Sequence, residues 1–374
     1  MINIMKLFYF IFFFSLYINP ALICENKFFN FLNEKNQKEI LLIEKYNYHG
    51  ECLPGFIKYF LDLGYKNIDV LINNKLNKQN PLKLSFLQNK INILSYNTKL
   101  IEKFILLGIC NFYKICFFNT LEFGNNYKIR KYLYQKTKFK KLIVFHELNN
   151  INKKDIYFFN IIVLKKFNNN IPIYEVNPHY FGEYLYHNKS LITNFITVGT
   201  TVSFRKNFDI LIECIKKLIK NNIVNFHVTI IGKGNIGKKI KKISYKKNFS
   251  NYITITGRIS YDKMYQYVSK ADFFLPLLDP DKHKKYITEK TSGSFQLVYG
   301  FNIPMLIEKK IADIYGFNNL NSVIYNTNND FFNKIKYSIY MRNEEYNNLK
   351  YNLNIKSKEV EKNSIKNLKI ILNK

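Results

Sequence analysis

Residues 194–258 read NFITVGTTVSFRKNFDILIECIKKLIKNNIVNFHVTIIGKGNIGKKIKKISYKKNFSNYITITGR. The apolar runs FITVG and FHVTIIG each end in glycine and precede residues with helical spacing, and a third run, YITITG, also ends in glycine. This succession of strand, glycine turn and helix is typical of parallel βαβ units. In such sheets, ligands bind where the carboxyl ends of strands meet the N-termini of helices. We therefore expect a ligand site at these glycine turns.

Length and composition favour two folded domains. The chain has 374 residues, of which 47% are hydrophobic and 17% aromatic, so two cores can be buried and global disorder is excluded. A formal net charge of +30 would favour nucleic acid or an anionic membrane as a partner. However, the lysines are spread along the chain, and the abundance of Lys, Asn, Ile, Tyr and Phe without any Trp is typical of AT-rich coding. We expect no nucleic-acid partner, whereas an anionic membrane surface stays open.

The cysteines predict buried thiols. They are Cys24, Cys52, Cys110, Cys116 and Cys214, and they form neither a C-x-x-C motif nor a cluster with histidine. Most have apolar neighbours, among which a free cysteine behaves as a small core residue. We expect free thiols in preference to disulfides, and no structural zinc or other metal site.

The N-terminus predicts a targeting segment. An almost unbroken apolar run extends from Leu7 to Ile18 and is followed by Pro20 and Ala21. This run is short for a membrane span and suits the core of a signal peptide. Residues 1–24 are therefore predicted to be a signal peptide, with an uncleaved signal anchor and a buried first element as alternatives. The first two alternatives imply the secretory pathway or association with a membrane.

The remaining chain divides into three parts. Residues 37–185 alternate β-rich and helical segments and predict an α/β domain with a mostly parallel sheet. Residues 194–330 repeat this alternation and predict a second such domain. Residues 331–374 are polar, basic and helical in pattern, and we expect them to pack back onto the first domain. The predicted fold class is α/β, with two Rossmann-like domains whose parallel sheets face a central cleft.

The first candidate anion site is the turn after FITVG. Gly199 and Thr200 begin the turn, and Arg205 and Lys206 follow it at the start of a predicted helix. Free backbone N–H groups, the helix dipole and two cations can together neutralise a diphosphate. A solvated basic turn is the alternative.

The second candidate follows FHVTIIG. Gly232, Lys233 and Gly234 allow the backbone to approach a ligand closely, and Gly237 completes the letters of a G-x-G-x-x-G motif. A dinucleotide fingerprint also needs an acidic residue at the end of the next strand, where this chain has Arg258. Binding of a nicotinamide cofactor is therefore only an alternative.

The third candidate is the segment that enters a helix near residue 292. It contains Glu289, Thr291, Ser292, Gly293 and Ser294. The hydroxyl groups can cap the helix and hydrogen-bond to sugar or phosphate oxygens, while the glycine lets a ligand approach. A plain helix cap without a ligand is the alternative.

Four segments in this half carry a family resemblance: VGTTVSFRKNFDILIECIKKL, FHVTIIGKG, ITITGRISYDKMYQYVSKADFFLPL and GFNIPMLIE. In order and spacing, over about 110 residues, they resemble the C-terminal domain of family 4-type glycosyltransferases of the GT-B fold. The resemblance implies that Arg205 and Lys206 bind the diphosphate of a nucleotide sugar. It also implies that Glu289 lies near the transferred sugar, because it matches the first of two spaced glutamates that precede a G-x-P motif ending here at Pro304.

The sequence departs from the family pattern at three positions. Thr200 stands where arginine is frequent, Leu297 replaces the second glutamate, and Asn302 replaces the glycine of G-x-P. The contact with the ribose is then missing, or is transferred to Gln296 or Tyr299. Because of these departures, the identity of the donor sugar nucleotide stays open, and the chain can be either a divergent active member of the family or an inactive one.

The resemblance extends weakly into the first half. HGECLPGFIKYFLDLGYKNIDVLI resembles the first βα unit of the acceptor domain, which implies that His49, Gly50 and Glu51 line the cleft. His146 and His179 also follow predicted strands and are expected there. A histidine at a strand end can act as a polar anchor or a base, a role that we assign first to His49. Ordinary surface or buried histidines are the alternative for each.

The expected function is transfer of a sugar from a nucleotide diphosphate sugar to an acceptor hydroxyl, with His49 and Glu289 as candidate catalytic residues. The acceptor is a glycan, a lipid or a protein. As the resemblance implies, protein cations stabilise the leaving diphosphate, so no metal or further cofactor is expected. An inactive binding protein of the same fold and a nicotinamide-dependent oxidoreductase are the alternatives.

Overall fold

Two parallel sheets form the framework of the protein. The computed structural model describes residues 38–122, 126–135, 137–167, 171–183, 187–202, 204–235 and 249–373. The first sheet has the strand order β3-β2-β1-β4-β5-β6-β7, and all its pairings are parallel. Its strands are β1 (Lys38–Glu44), β2 (Ile68–Asn73), β3 (Ile91–Tyr96), β4 (Tyr113–Phe118), β5 (Lys140–Phe145), β6 (Asn160–Val163) and β7 (Tyr174–Glu175). Its helices are α1 (Leu53–Asp62), α2 (Asn74–Asn77), α3 (Thr98–Leu106), α4 (Tyr127–Leu133) and α5 (Lys153–Phe158).

Strand β1 shows why this sheet is parallel and covered on both faces. Its successive apolar residues are all buried, but they belong to two different cores. Ile40 and Leu42 pack in the core that contains α1, whereas Leu41 and Ile43 pack in the core that contains α3. Side chains alternate between the faces of a strand, so a continuous apolar run requires both faces to be covered.

The second sheet has the order β10-β9-β8-β11 and is also parallel throughout. Its strands are β8 (Thr193–Val198), β9 (Phe226–Ile231), β10 (Ile253–Gly257) and β11 (Phe273–Phe274), and a further parallel pair consists of β12 (Leu306–Glu308) and β13 (Val323–Tyr325). Its helices are α6 (Phe208–Lys220), α7 (Tyr261–Val268), α8 (Lys285–Thr288), α9 (Ser294–Phe301), α10 (Lys309–Tyr315) and α11 (Asn328–Tyr340). The predicted fold class, with two units of parallel sheet and helix, is confirmed.

The C-terminal region divides between the two domains. Residues 331–374 were predicted to form one tail on the first domain, but α11 buries Phe331 and Ile335 in the core of the second domain. The last helix, α12 (Asn343–Asn373), starts on the second domain and ends in the first-domain core, where it buries Leu368 and Ile371. Helical spacing is visible in the sequence, but which core an amphipathic helix covers depends on contacts distant in the chain.

Other predictions concern the cysteines and the N-terminus. The four cysteines in the described residues, Cys52, Cys110, Cys116 and Cys214, are buried free thiols, as predicted. Cys24 and the predicted targeting segment 1–24 lie outside the described residues. Within the part of the chain that is described, no helix combines the length and apolar character needed to cross a membrane.

Candidate active site

A cavity of about 840 Å³ lies between the two domains. The second domain contributes the turns after β8 and β9 and the segment that enters α9, and the first domain contributes the loop after β1. These parts all lie at the carboxyl ends of parallel strands, which is where such folds bind their ligands. Of the predicted donor residues, Gly199, Thr200, Arg205, Lys206, Gly232, Lys233, Arg258, Thr291, Ser292, Gly293 and Ser294 line this cavity.

The glycine turns after β8 and β9 are packed directly against each other. Gly232 has a φ of +146°, and a Cβ atom at this position would lie 1.8 Å from the carbonyl oxygen of Gly199. A Cβ at Gly234, which does not line the cavity, would lie 2.2 Å from the carbonyl oxygen of Thr201. Contact between the two turns thus requires glycine at positions 232 and 234, the first two glycines of the G-x-G-x-x-G pattern. The third, Gly237, lies outside the described residues. A dinucleotide is not needed to explain them.

Lys206 is a buried cation in the cavity wall. Its side chain is only 5% exposed, and its Nζ donates to the carbonyl oxygen of Pro276 at 2.7 Å and lies 3.5 Å from Ser294 Oγ. Burial lowers the pKa of Lys206 to about 7. Among the described residues, no carboxylate lies within ion-pair distance of this amine. The site therefore offers a positive charge that a ligand anion can neutralise.

Helix α9 begins at the same wall. Gly293 is the N-cap residue of the helix and has no side chain that could cap it. Instead, Ser292 Oγ accepts a hydrogen bond from Ser294 N at 3.3 Å. The first turn of a helix carries unpaired N–H groups and a partial positive charge. Lys206 and the start of α9 therefore favour the same kind of ligand group, an anion.

The loop that carries His49 is fixed from the first sheet. Glu44, at the end of β1, accepts hydrogen bonds from Asn119 Nδ2 at 2.7 Å and Thr120 Oγ1 at 2.6 Å. The same amide nitrogen of Asn119 also donates to the carbonyl oxygen of His49 at 3.1 Å. Burial raises the pKa of Glu44 to about 8. This network holds His49 in its left-handed conformation, with a φ of 59°.

His49 lines the cavity and lies between a second histidine and a carboxylate. Its ring stacks on His146 with 3.7 Å between centroids, and its Nδ1 lies 3.7 Å from Glu51 Oε1. His146 is buried, lies behind His49 and does not line the cavity; its Nε2 lies 2.9 Å from the carbonyl oxygen of Asn119. Burial and the neighbouring His49 lower the pKa of His146 well below its usual value. His146 is thus a support for His49.

Glu51 connects the two domains. Burial would raise the pKa of Glu51, but its hydrogen bond and charge interaction with His49 outweigh burial and lower it. Tyr261 of the second domain donates its hydroxyl hydrogen to Glu51 Oε2 at 3.2 Å and accepts from Gly50 N at 3.2 Å. Gly50 therefore contributes its backbone to this contact and does not line the cavity. A Cβ at Gly293 would lie 3.0 Å from Glu51 Oε1, so this glycine admits the carboxylate.

Glu289 does not line the cavity, contrary to the prediction for it. Its carboxylate lies 3.6 Å from Lys285 Nζ, and its carbonyl oxygen accepts a hydrogen bond from Leu148 N at 2.9 Å. The next residue, Lys290, forms an isolated antiparallel bridge and an ion pair with Glu147 of the first domain. Glu289 ends helix α8 and pairs with Lys285 one helical turn before it, whereas Lys290, held by the bridge to Glu147, lines the cavity.

His179 is also outside the cavity. It is buried, its Nδ1 lies 2.9 Å from the carbonyl oxygen of Asn177, and its Nε2 lies 3.2 Å from the carbonyl oxygen of Ser357 in α12. Its ring centroid lies 5.3 Å from that of Tyr299. His179 is therefore an ordinary buried histidine whose ring nitrogens are hydrogen-bonded, because α12 covers it.

Neither residue considered for the ribose contact lines the cavity. Tyr299 packs near His179, and Gln296 is fully buried with no hydrogen-bond partner for its amide among the described residues. Leu297 does line the cavity, so the wall at the position of the missing glutamate is apolar.

Several lining residues were not predicted. Those with polar side chains are Tyr48, Gln79, Glu147, Tyr261, Tyr286 and Lys290. Glu147 follows a predicted strand directly after His146, so its position could have been found from the sequence. Tyr261 and Gln79 reach the cavity because the domains touch: Arg258 Nη2 donates to Gln79 Oε1 at 2.9 Å and to the carbonyl oxygen of Asn47 at 3.0 Å. No local pattern contains that information.

The fold and the comparisons define the class of protein. Crystal structures similar to this chain include TarM of S. aureus, with a TM-score of 0.62 and 12% identity over 90% of this chain and 100% of that chain. A glycosyltransferase from Rickettsia africae has a TM-score of 0.57 and 14% identity, and sucrose-phosphate synthase from Thermosynechococcus elongatus has 0.53 and 11%; both matches cover 90% of this chain and 98% of the other. The architecture is that of GT-B glycosyltransferases.

Comparison of the sequence with protein-family models identifies a segment of the second domain. Residues 187–277 match the family model of glycosyl transferases group 1. No curated protein gives a significant sequence match. The chain therefore has the GT-B fold, and it contains a segment, residues 187–277, that matches a family of sugar-transferring enzymes.

Proposed function

We propose that this enzyme transfers the sugar of a nucleotide diphosphate sugar to an acceptor hydroxyl, and that Lys206 binds the diphosphate. The observation that carries the proposal is a buried cation in the cavity wall with no carboxylate partner among the described residues. A buried charge without a counter-charge is unfavourable, so an anionic ligand stabilises this arrangement. A diphosphate matches because Ser294 and the first turn of α9 lie beside the amine.

Arg205 is proposed as the second cation at the diphosphate. It lines the cavity next to Lys206, and its guanidinium lies 5.7 Å from the ring of Phe204. When the bond between sugar and diphosphate breaks, negative charge grows on the leaving oxygens, and fixed cations lower the energy of that transition state. The similar TarM was crystallised with UDP, which supports a nucleotide diphosphate as the ligand class.

We propose that the reaction needs no metal. Within the described residues, no group of three or more histidine, cysteine or acidic side chains is placed to hold an ion. Asp279 and Asp281 form the pattern D-x-D, but they lie in a turn. There, Asp279 Oδ1 accepts hydrogen bonds from Asp281 N at 3.0 Å and from Lys282 N at 3.1 Å. The charge neutralisation that a metal would supply is assigned to Arg205 and Lys206.

His49 is proposed as the polar group at the acceptor hydroxyl. It lines the cavity from the first domain, and Glu51 orients its ring through Nδ1. An imidazole held by a carboxylate can accept a proton or a hydrogen bond from a hydroxyl. Glu51 and Glu147, rather than Glu289, are the carboxylates in the cavity lining, so we assign no contact with the sugar to Glu289.

An inactive glycosyltransferase-like binding protein is the second candidate. It is favoured by the apolar Leu297 in the cavity wall, where the resemblance implies a carboxylate at the ribose. Such a protein would bind a nucleotide sugar, or its nucleotide, without turnover. Measured release of the nucleoside diphosphate separates the two candidates.

A further proposal concerns the cellular location of the enzyme and rests on the sequence of residues 1–24. On the apolar run in residues 1–24, we propose that the enzyme acts in the secretory pathway or at a membrane surface. N-terminal sequencing of the mature protein tests it: a start after residue 24 indicates a signal peptide, an intact start in a membrane fraction indicates an anchor, and an intact start in a soluble fraction contradicts both.

Donor binding by the Lys206→Met variant tests the main proposal. A thermal-shift screen with UDP-, GDP-, ADP- and dTDP-sugars should identify a donor, because a ligand of the folded state raises its stability. The variant should bind that donor about 100-fold more weakly, since it lacks one buried charge at the diphosphate. Lys217→Met, which removes an exposed lysine from α6 of the same domain, is the matched control.

The pH dependence sharpens this test. The charged form of Lys206 attracts the diphosphate, and its pKa without ligand is about 7. Above pH 7 donor binding must therefore be accompanied by proton uptake, and affinity should fall by up to about tenfold per pH unit in the native enzyme and stay flat in Lys206→Met. Calorimetric titration in two buffers measures both quantities. A donor shift that is equal in the variant, or no shift with any nucleotide sugar, would contradict the proposal.

A further inference from the structure

A second cavity, of about 700 Å³, lies in the first domain. Its walls come from the loop after β4, the helix α4, the loop after β5 and the start of α5. In the sheet, β4 lies next to β1, and β5 lies next to β4. The second cavity therefore lies along the same carboxyl edge as His49, further from the donor side of the main cavity.

Two sets of contacts connect this cavity with the main one. Asn126 in its wall donates to the hydroxyl oxygen of Tyr46 at 3.0 Å, and the ring of Tyr46 stacks on Tyr48, which lines the main cavity, with 5.0 Å between centroids. On the other side, Glu122 Oε2 accepts hydrogen bonds from the backbone N–H groups of His146 at 2.7 Å and Glu147 at 3.2 Å. The walls of the two cavities are thus in contact beside His49.

The lining of the second cavity is rich in amide and phenol groups. It contains four asparagines, and Asn149 and Asn150 make no side-chain hydrogen bond with the described residues. Tyr127 presents a ring that is 71% exposed although it belongs to a cavity wall. An amide both donates and accepts hydrogen bonds, as every sugar hydroxyl does, and an exposed ring can cover the apolar face of a sugar.

Lys153 and Lys154 are exposed charges of this lining, whereas its other two acidic or basic side chains, Arg130 and Glu122, are neutralised within the protein. Arg130 lies 3.2 Å from the buried Asp155, so its charge is paired within the protein. Burial raises the pKa of Glu122 to about 8, so this carboxyl is mostly neutral at pH 7. Its Oε1 is buried and has no hydrogen-bond partner among the described residues. The unsatisfied carboxyl oxygen, together with the amides and phenols of the lining, can form hydrogen bonds with a polyhydroxylated ligand.

We propose that this second cavity is a subsite for a glycan acceptor, in which the ring of Tyr127 packs on a sugar and Asn149 and Asn150 bind its hydroxyls. The inference rests on the proposed function, because the bound glycan would extend along the carboxyl edge of the sheet and bring its terminal hydroxyl to His49. It selects a glycan from the acceptor classes that the sequence leaves open.

Binding of the full chain to a printed glycan array, with neutral and with sulfated or carboxylated oligosaccharides, tests the subsite. Wild-type protein should bind neutral oligosaccharides, and Tyr127→Ala should weaken that binding at least tenfold. Tyr127→Phe should restore it, because the ring makes the proposed contact. Tyr157→Ala is the matched control, since Tyr157 is 84% exposed and lies outside the lining of both cavities.

The outcomes separate this inference from the proposed donor site. Tyr127→Ala should keep the thermal shift of wild type with the nucleotide sugar, since Tyr127 does not line the main cavity. A donor shift without any glycan binding, or glycan binding that Tyr127→Ala leaves unchanged, overturns the subsite alone. Binding restricted to anionic glycans also overturns it, because the exposed Lys153 and Lys154 would then carry the interaction. Glycan binding that depends on Tyr127 without any donor shift overturns the proposed function and leaves the subsite.

Discussion

The two walls of the main cavity are built in different ways. In the wall from the second domain, key lining residues directly follow strands: Gly199 and Lys206 come after β8, and Gly232 comes after β9. The wall from the first domain depends on distant contacts: His49 stacks on His146, and Glu51 is bound by Tyr261 of the other domain. A site made of local turns can be predicted from sequence, whereas a site made of long-range contacts needs the folded chain.

The largest effect is expected from Gly232→Ala in the wall of local turns. The added Cβ would lie 1.8 Å from the carbonyl oxygen of Gly199, in a backbone conformation with φ of +146°. We expect a loss of at least about 2 kcal/mol in the free energy of unfolding, and loss of donor binding. Chemical denaturation and calorimetric titration measure the two quantities.

Gly257→Ala is the control for that substitution. Gly257 also has a positive φ, of +69°, but a Cβ there would meet nothing within 4 Å, so only about 1 kcal/mol of backbone strain is expected. Equal destabilisation by both changes would show that the contact between the turns contributes nothing.

An intermediate effect is expected from His49→Ala in the wall of distant contacts. Removing the proposed polar group at the acceptor should lower the transfer rate about 100-fold, while donor affinity stays within about twofold, since the diphosphate is assigned to the other wall. Steady-state kinetics with varied donor and acceptor measure both. His227→Ala, which removes a histidine of β9 outside the cavity lining, is the matched control. A parallel loss of donor affinity in His49→Ala would contradict the division of roles between the walls.

The smallest effect is expected where the walls meet. Glu147 and Lys290 form an ion pair between the domains, and each side chain is 17% exposed. Removing the pair together, as Glu147→Gln with Lys290→Met, should change the free energy of unfolding by about 1 kcal/mol or less, because partly exposed ion pairs are weak. A double-mutant cycle measures the coupling. A coupling of several kcal/mol would indicate that this pair, and not the packing of α12, holds the domains together.

The sequence determined those features that depend on near neighbours. Continuous apolar runs such as that of β1 require a sheet covered on both faces, and glycine after β8 and β9 requires tight turns at the ligand-binding edge. Hence the two parallel sheets, most cavity-lining residues of the second domain and the similarity to glycosyltransferases could be predicted. Tertiary structure alone decided that Glu289 and His179 lie outside the cavity. The backbone of Glu289 is bound by Leu148 of the first domain while Lys290 lines the cavity, and α12 covers His179. Such placements depend on contacts between segments more than a hundred residues apart, and no local spacing encodes them.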